Sequence, residues 1–153
     1  MQFLTKSVVF GQVFANQVLA GMAVLPSTAL LATSKLRLSN DPNFNPTPLS
    51  TVASLAANEA VFTGYTAGGV AVALVQALNL STQIQGAGQV KVFVAVAGTP
   101  FVPDTLTGWW IDDGTVLQVA SAFGASGPYA IGSPGDFLEL LALLPVNLLQ
   151  LAS

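Results

Sequence analysis

Only eleven side chains in this chain of 153 residues carry a charge: Lys6, Lys35, Arg37, Asp41, Glu59, Lys91, Asp104, Asp112, Asp113, Asp136 and Glu139. A soluble surface normally carries roughly a quarter to a third charged residues. Here the charged fraction is 7% and the hydrophobic fraction 52%, so the fold has too few charges to dress a whole surface for water. The chain is therefore expected to bury much of itself against copies or partners. It is not a disordered composition, because disordered chains are poor in apolar residues and rich in charge.

The missing residue types exclude whole classes of chemistry. Without His, a Ser–His triad cannot be built, and without Cys there are no disulfides and no thiolate metal sites. The four cations, Lys6, Lys35, Arg37 and Lys91, form no patch beyond the pair at 35 and 37. Nucleic-acid binding needs several phosphate contacts, so no nucleic-acid partner is expected. The stretch from Ser7 to Ser34 is uncharged, but Gln12, Asn16, Gln17, Pro26, Ser27 and Thr28 interrupt it. A membrane span needs about 20 largely apolar residues, so no membrane partner is expected. With Met1 and Lys6 still ahead of it, the stretch is expected to be a buried arm or packing segment rather than a cleaved leader.

Gly and Pro are spread along the chain, which favours short strands joined by turns. Residues 1–25 show no helical stripe and read as an extended N-terminal arm with one or two strands. Pro26 to Ser34 reads as a short helix. Lys35 to Ser39 alternates as a strand, and Asn40 to Pro48 is a proline-rich loop. Leu49 to Ala60 holds one apolar helical face, with Ser50 or Thr51 as cap. Phe62 to Tyr65 is a bend, and strands are expected over Val70–Leu80, Thr82–Gln85, Gln89–Ala97, Leu106–Asp112 and Thr115–Phe123. In the Gln89–Ala97 strand, Val90, Val92, Val94 and Val96 share one face and Lys91, Phe93 and Ala95 the other. Asp113-Gly114 is a hairpin signal. Gly124 to Gly135 reads as a loop. The leucine run from Phe137 to Leu151 reads as strand, split by Pro145, and must be core or interface.

Few constellations could carry chemistry. Asp112-Asp113-Gly114, with Asp104 nearby, could be an acid/base or metal pair. It reads better as a hairpin tip whose solvated Asp stabilises the turn, because strand neighbours point to opposite faces. Asp41-Pro42-Asn43-Phe44-Asn45 opens like a calcium loop, then places Pro46 where Gly is required and Val52 where Glu is required. Its reading is an Asx-rich turn. Gly64, Gly68, Gly69, Gly86 and Gly88 lack the Lys and the strand–loop–helix frame of a phosphate loop. Alternation puts Trp109 and Trp110 on opposite faces, one in the core and one at an edge or interface, where a ring can also stack on a sugar. No enzymatic activity and no cofactor are expected from this inventory.

Several short motifs occur in order: Leu36-Arg37-Leu38-Ser39-Asn40, Asn45-Pro46-Thr47-Pro48, Ala60-Val61-Phe62-Thr63-Gly64-Tyr65 and Gly108-Trp109-Trp110-Ile111-Asp112. Together they resemble small virion structural proteins of tailed phages, over about residues 25–148. The chain departs from that pattern in its longer arm and lower charge. The resemblance implies a mainly β fold, a single β-sandwich or jelly-roll-like barrel over 26–153 with one or two short helices, preceded by the 1–25 arm. It implies a capsid decoration (cement) protein on the virion exterior, a homotrimer whose partner is the major capsid protein. The expected contact residues are Val8, Phe10, Val13 and Phe14 in the arm, with Trp110 and Leu148 at subunit interfaces. A tail, neck or fibre component and a host-glycan-binding module are the alternatives.

Overall fold

In a computed structural model, residues 9–10, 34–72, 75–79, 83–87, 90–141 and 144–147 are described. The fold is mainly β, with antiparallel pairing throughout and almost no helix. The largest sheet has five strands in the order β1 (Val9–Phe10), β9 (Leu117–Ala122), β8 (Gly108–Asp112), β2 (Lys35–Ser39) and β3 (Val70–Ala71). The other ladders pair β10 (Tyr129–Ile131) with β7 (Asp104–Leu106), and β11 (Phe137–Leu141) with β6 (Val90–Val94). A three-stranded sheet sets β5 (Gln83–Ala87) between β12 (Leu144–Asn147) and β4 (Val75–Asn79). These ladders do not close into a barrel among the described residues.

The β8–β9 hairpin turns at Asp113-Gly114, where Gly114 holds φ +93, a conformation that costs a residue without Cβ little. All five residues of β8 are buried, because the large sheet is covered on both faces. On one face, Leu36, Leu38, Trp109, Ile111 and Val119 join Phe62, Phe93, Leu106, Phe123, Ile131, Leu138 and Leu140 in the main core. On the other, Trp110, Leu117 and Ala120 meet Phe44 and Leu55 in a second, smaller core. The one α-helix among the described residues, α1 (Val52–Ala56), brings Leu55 to that second core. Thr51 caps it through a reciprocal box with Ser54. Between Ile111 and Asp112 the register to β9 slips by one residue. The extra residue, Gln118, is buried and accepts a hydrogen bond from Ser34 Oγ at 2.7 Å.

Several sequence expectations shift. The loop expected over Gly124–Gly135 contains a 3-10 turn, Gly124–Ser126, and the strand β10. The leucine run is strand over its described parts, Phe137–Leu141 and Leu144–Asn147, and 142–143 and 148–151 lie outside the described residues, but Pro145 lies inside β12 rather than between two strands. It sits there on an outer strand of its sheet, where a missing N–H need not break a ladder. The helix expected over Pro26 to Ser34 falls on 26–33, outside the described residues, and Ser34 itself is not helical.

Gly108 shows how tightly the second core closes. A Cβ there would collide with the Phe44 ring and lie 2.8 Å from the Ser121 carbonyl oxygen. Gly108→Ala should therefore destabilise the fold by about 1–3 kcal/mol through overpacking, read as a lower urea midpoint at unchanged m-value.

Candidate assembly surface

Two features stand out once the side chains are placed: an exposed apolar face and a buried charge network. The face follows from how β6 is packed. Phe93 and Ala95 turn inward, 5% and 2% exposed, and Phe93 stacks on Tyr65 with ring centroids 6.0 Å apart. Leu138 and Leu140 of the pairing strand β11 are buried beside them. Alternation then sends Val90, Val92 and Val94 outward. Across the ladder, Phe137 lies opposite Val94 and Glu139 opposite Val92, both exposed.

The outward face continues past the end of β6. Val96 N donates to Thr63 O at 3.0 Å, and Thr63 N donates to Val102 O at 3.1 Å. Phe62 is buried, so its neighbours Val61 and Thr63 turn the other way. Val90, Val92, Val94 and Phe137 share the outward face of the β6–β11 ladder, and among the described residues Val61, Val96, Val102 and Leu49 are also exposed large hydrophobics. Val92 is 51% exposed and Phe137 63%. Contiguous apolar surface of this kind marks interaction sites far more often than singly scattered residues do.

Glu139 is the ionisable residue that the ladder places on this face. Asp136 is held in the turn before β11, accepting from Gly132 N and Ser133 N at 2.8 and 2.9 Å, and Asp104 accepts from Val61 N at 2.7 Å. Lys91 occupies the opposite face of β6 by alternation.

The charge network sits at the far side of the large sheet. Arg37 on β2 and Asp112 on β8 are brought to one face by the β2–β8 register, which sets Arg37 opposite Trp110. Arg37 Nη2 donates to Asp112 Oδ1 at 3.1 Å, and Nε lies 2.8 Å from Oδ2, an ion-pair contact without hydrogen-bond alignment. Arg37 Nη1 donates to Glu59 Oε2 at 3.2 Å. Asp112 has no exposed surface; it also accepts from Trp110 Nε1 at 2.9 Å and Gly114 N at 2.7 Å. Glu59 Oε1 accepts from the Tyr65 hydroxyl at 2.7 Å and from Gly68 N at 2.8 Å. The Tyr65 oxygen in turn accepts from Leu38 N at 3.2 Å. Burial lowers the Arg37 pKa, but the fields of Asp112 and Glu59 outweigh it and the net direction is up. Every carboxylate oxygen of this network is engaged by protein donors, so its chemistry is structural cross-linking of β2, β8 and the 59–68 segment.

The sequence-predicted residues fall out unevenly. Asp113 stabilises the hairpin as expected, its Oδ1 accepting from Thr115 N and Val116 N at 2.8 and 2.7 Å. Asp112 also accepts from the turn amide Gly114 N at 2.7 Å, but its charge, expected in solvent, is fully buried and paired, because the strand end it occupies is covered on both faces. Asp41 makes the expected Asx turn, its Oδ1 accepting from Asn43 N at 2.9 Å. No cluster of three or more His, Cys, Asp or Glu suited to a metal occurs among the described residues. Trp109 and Trp110 do lie on opposite faces, yet both are buried, at 2% and 0% exposure. Trp110, expected at a subunit interface, has all its surface covered within its own chain by the second core. Phe10 belongs to β1, where it pairs with Val119 of the same chain. Val8, Val13, Phe14 and Leu148 lie outside the described residues. The valine alternation was visible in the sequence, but not which face the core would take. No known protein family, curated protein or solved structure matches this chain.

Asp112→Ala should cost about 3 kcal/mol in urea unfolding, because it strands the Arg37 charge and the Trp110 N–H; Asp112→Asn, which keeps an acceptor, should cost less. Burial raises the Tyr65 pKa above its ordinary 10.0; the Leu38 N–H opposes this and Glu59 adds to it. Above pH 10.0 the unfolded phenol releases its proton while the folded one retains it, so stability holds below that pH and falls above it. Tyr65→Phe should flatten this alkaline decline in urea midpoints measured between about pH 8 and about pH 11.

Proposed function

We propose that this chain is a capsid decoration (cement) protein of a tailed phage, a homotrimer seated on the outside of the shell where major capsid subunits meet. The observation that carries the reading is the valine face. Val90, Val92, Val94 and Phe137, held on one exposed ladder face of a charge-poor chain, gain from being covered. Each methylene taken out of water contributes about 0.8 kcal/mol. Repeated over many copies on a lattice, modest contacts add up through avidity and resist outward pressure. The large sheet and the strands that cover its main core make up the single sandwich or jelly-roll-like domain of this reading. The 1–25 arm reinforces neighbours by strand pairing. The glycan-binding alternative relied on an exposed Trp, and both Trp rings are buried.

The test is rebinding. Purified protein should run as a trimer in light scattering, and it should rebind shells stripped of it and raise their resistance to heat. Imaging should find it repeated across the shell. A monomer that ignores shells, or density confined to the tail, would remove the decoration reading.

A further inference from the structure

We propose that copies of this chain join head to tail: the valine face of one copy meets the Lys35 end of the large sheet of the next, and Glu139 of the first pairs with Lys35 of the second. This rests on the decoration reading and gives its trimer a contact.

Charge selects the pair. Nearly every ionisable group described is engaged within its own chain. Arg37, Glu59 and Asp112 hold one another. Asp41, Asp113 and Asp136 accept from turn amides, and Asp104 accepts from Val61 N and Thr105 N. Lys91 has an interaction of its own. Among the described residues, one carboxylate and one ammonium are left without a hydrogen bond or ion pair, Glu139 and Lys35, and both are exposed. The two stand on different surfaces. Leu138 and Leu140 of β11 enter the main core, so Glu139 between them turns away, onto the face of Val90, Val92, Val94 and Phe137. Leu36 of β2 enters the same core, so Lys35 lies on the other face of its strand, beside the exposed Ala71 of β3. Asp112, which the register sets across from Lys35, is buried and held by Arg37.

Covering the valine face takes Glu139 out of water, and a carboxylate buried without a cation is costly. Two valine faces packed together would put two Glu139 carboxylates under one cover, and like charges brought together oppose association. A head-to-tail contact brings an ammonium to the carboxylate instead, and every copy supplies both partners. A contact between two different patches is heterologous, and it closes into a ring when the rotation between copies returns to the start.

Glu139→Lys, Lys35→Glu and the double variant that exchanges the two charges test this, since both positions are exposed. Circular dichroism should match wild type for all three. In light scattering over a dilution series, the dissociation constant of the oligomer should rise about thirtyfold or more for either reversal alone. It should return to within about threefold of wild type in the exchanged variant. The milder Glu139→Gln and Lys35→Gln, which place no new charge beside Asp112, should each raise it about tenfold and weaken its dependence on NaCl between about 50 and about 500 mM. Variants that leave the mass of a wild-type trimer unchanged would overturn the contact while leaving the decoration reading standing. Losses that the exchange does not recover would overturn the pairing of Glu139 with Lys35. An open filament that the reversals disperse and the exchange restores would keep the contact and remove the trimer. A wild-type chain that stays monomeric overturns the contact, and its binding to stripped shells then decides the decoration reading separately.

Discussion

Arg37 and Asp112 meet 2.8 Å apart in a place where an unpaired charge could not survive. The central strand β8 is buried along its whole length, so the carboxylate at its end has no water to turn to. Desolvating a carboxylate alone costs several kcal/mol. Asp112 is tolerated because one guanidinium, one indole N–H and one turn amide converge on it. The same guanidinium holds Glu59, and Glu59 holds Tyr65, which caps the backbone of β2 at Leu38. The polar network thus fixes how the 59–68 segment lies over the sheet. That placement in turn stacks Tyr65 on Phe93 and sets the inward face of β6.

From this follows the division of labour across the molecule. Charge is spent inside or at turns: Arg37, Glu59 and Asp112 in the network, Asp113, Asp136 and Asp41 in turns, Asp104 on the Val61 amide. Little is left to keep the outward face of β6 hydrophilic. The β12–β5–β4 sheet contains no charged residue at all. Pro145 is the one residue on its outer strands of a kind that natural sheets use to guard an edge.

Much of the fold was legible in the chain. The Lys35–Ser39 strand, the Thr51-capped helix and the Asp113-Gly114 hairpin all rest on local rules, namely period-two alternation, side-chain capping and turn stereochemistry. Strand β10 escaped notice because its three residues sit within a Gly-, Pro- and Ser-rich stretch that reads as loop. The candidate surface was legible by half: alternation separated the four valines from Phe93 and Ala95 but carried no sign of which set would be covered. The Arg37–Asp112 pair was not legible, being 75 residues apart in the chain.

Sequence alone determined that the chain is mainly β, that it lacks the residues of most catalysis, that its surface cannot be dressed in charge, and that Trp109 and Trp110 point in opposite directions. Tertiary structure decided that both indoles are buried, that Asp112 is an internal ion-pair partner, and that the valines rather than Phe93 face outward. The physical reason is the same in each case. The pleat assigns side chains to two faces, but whether a face is core, second core or open surface depends on which distant strands come to lie on it.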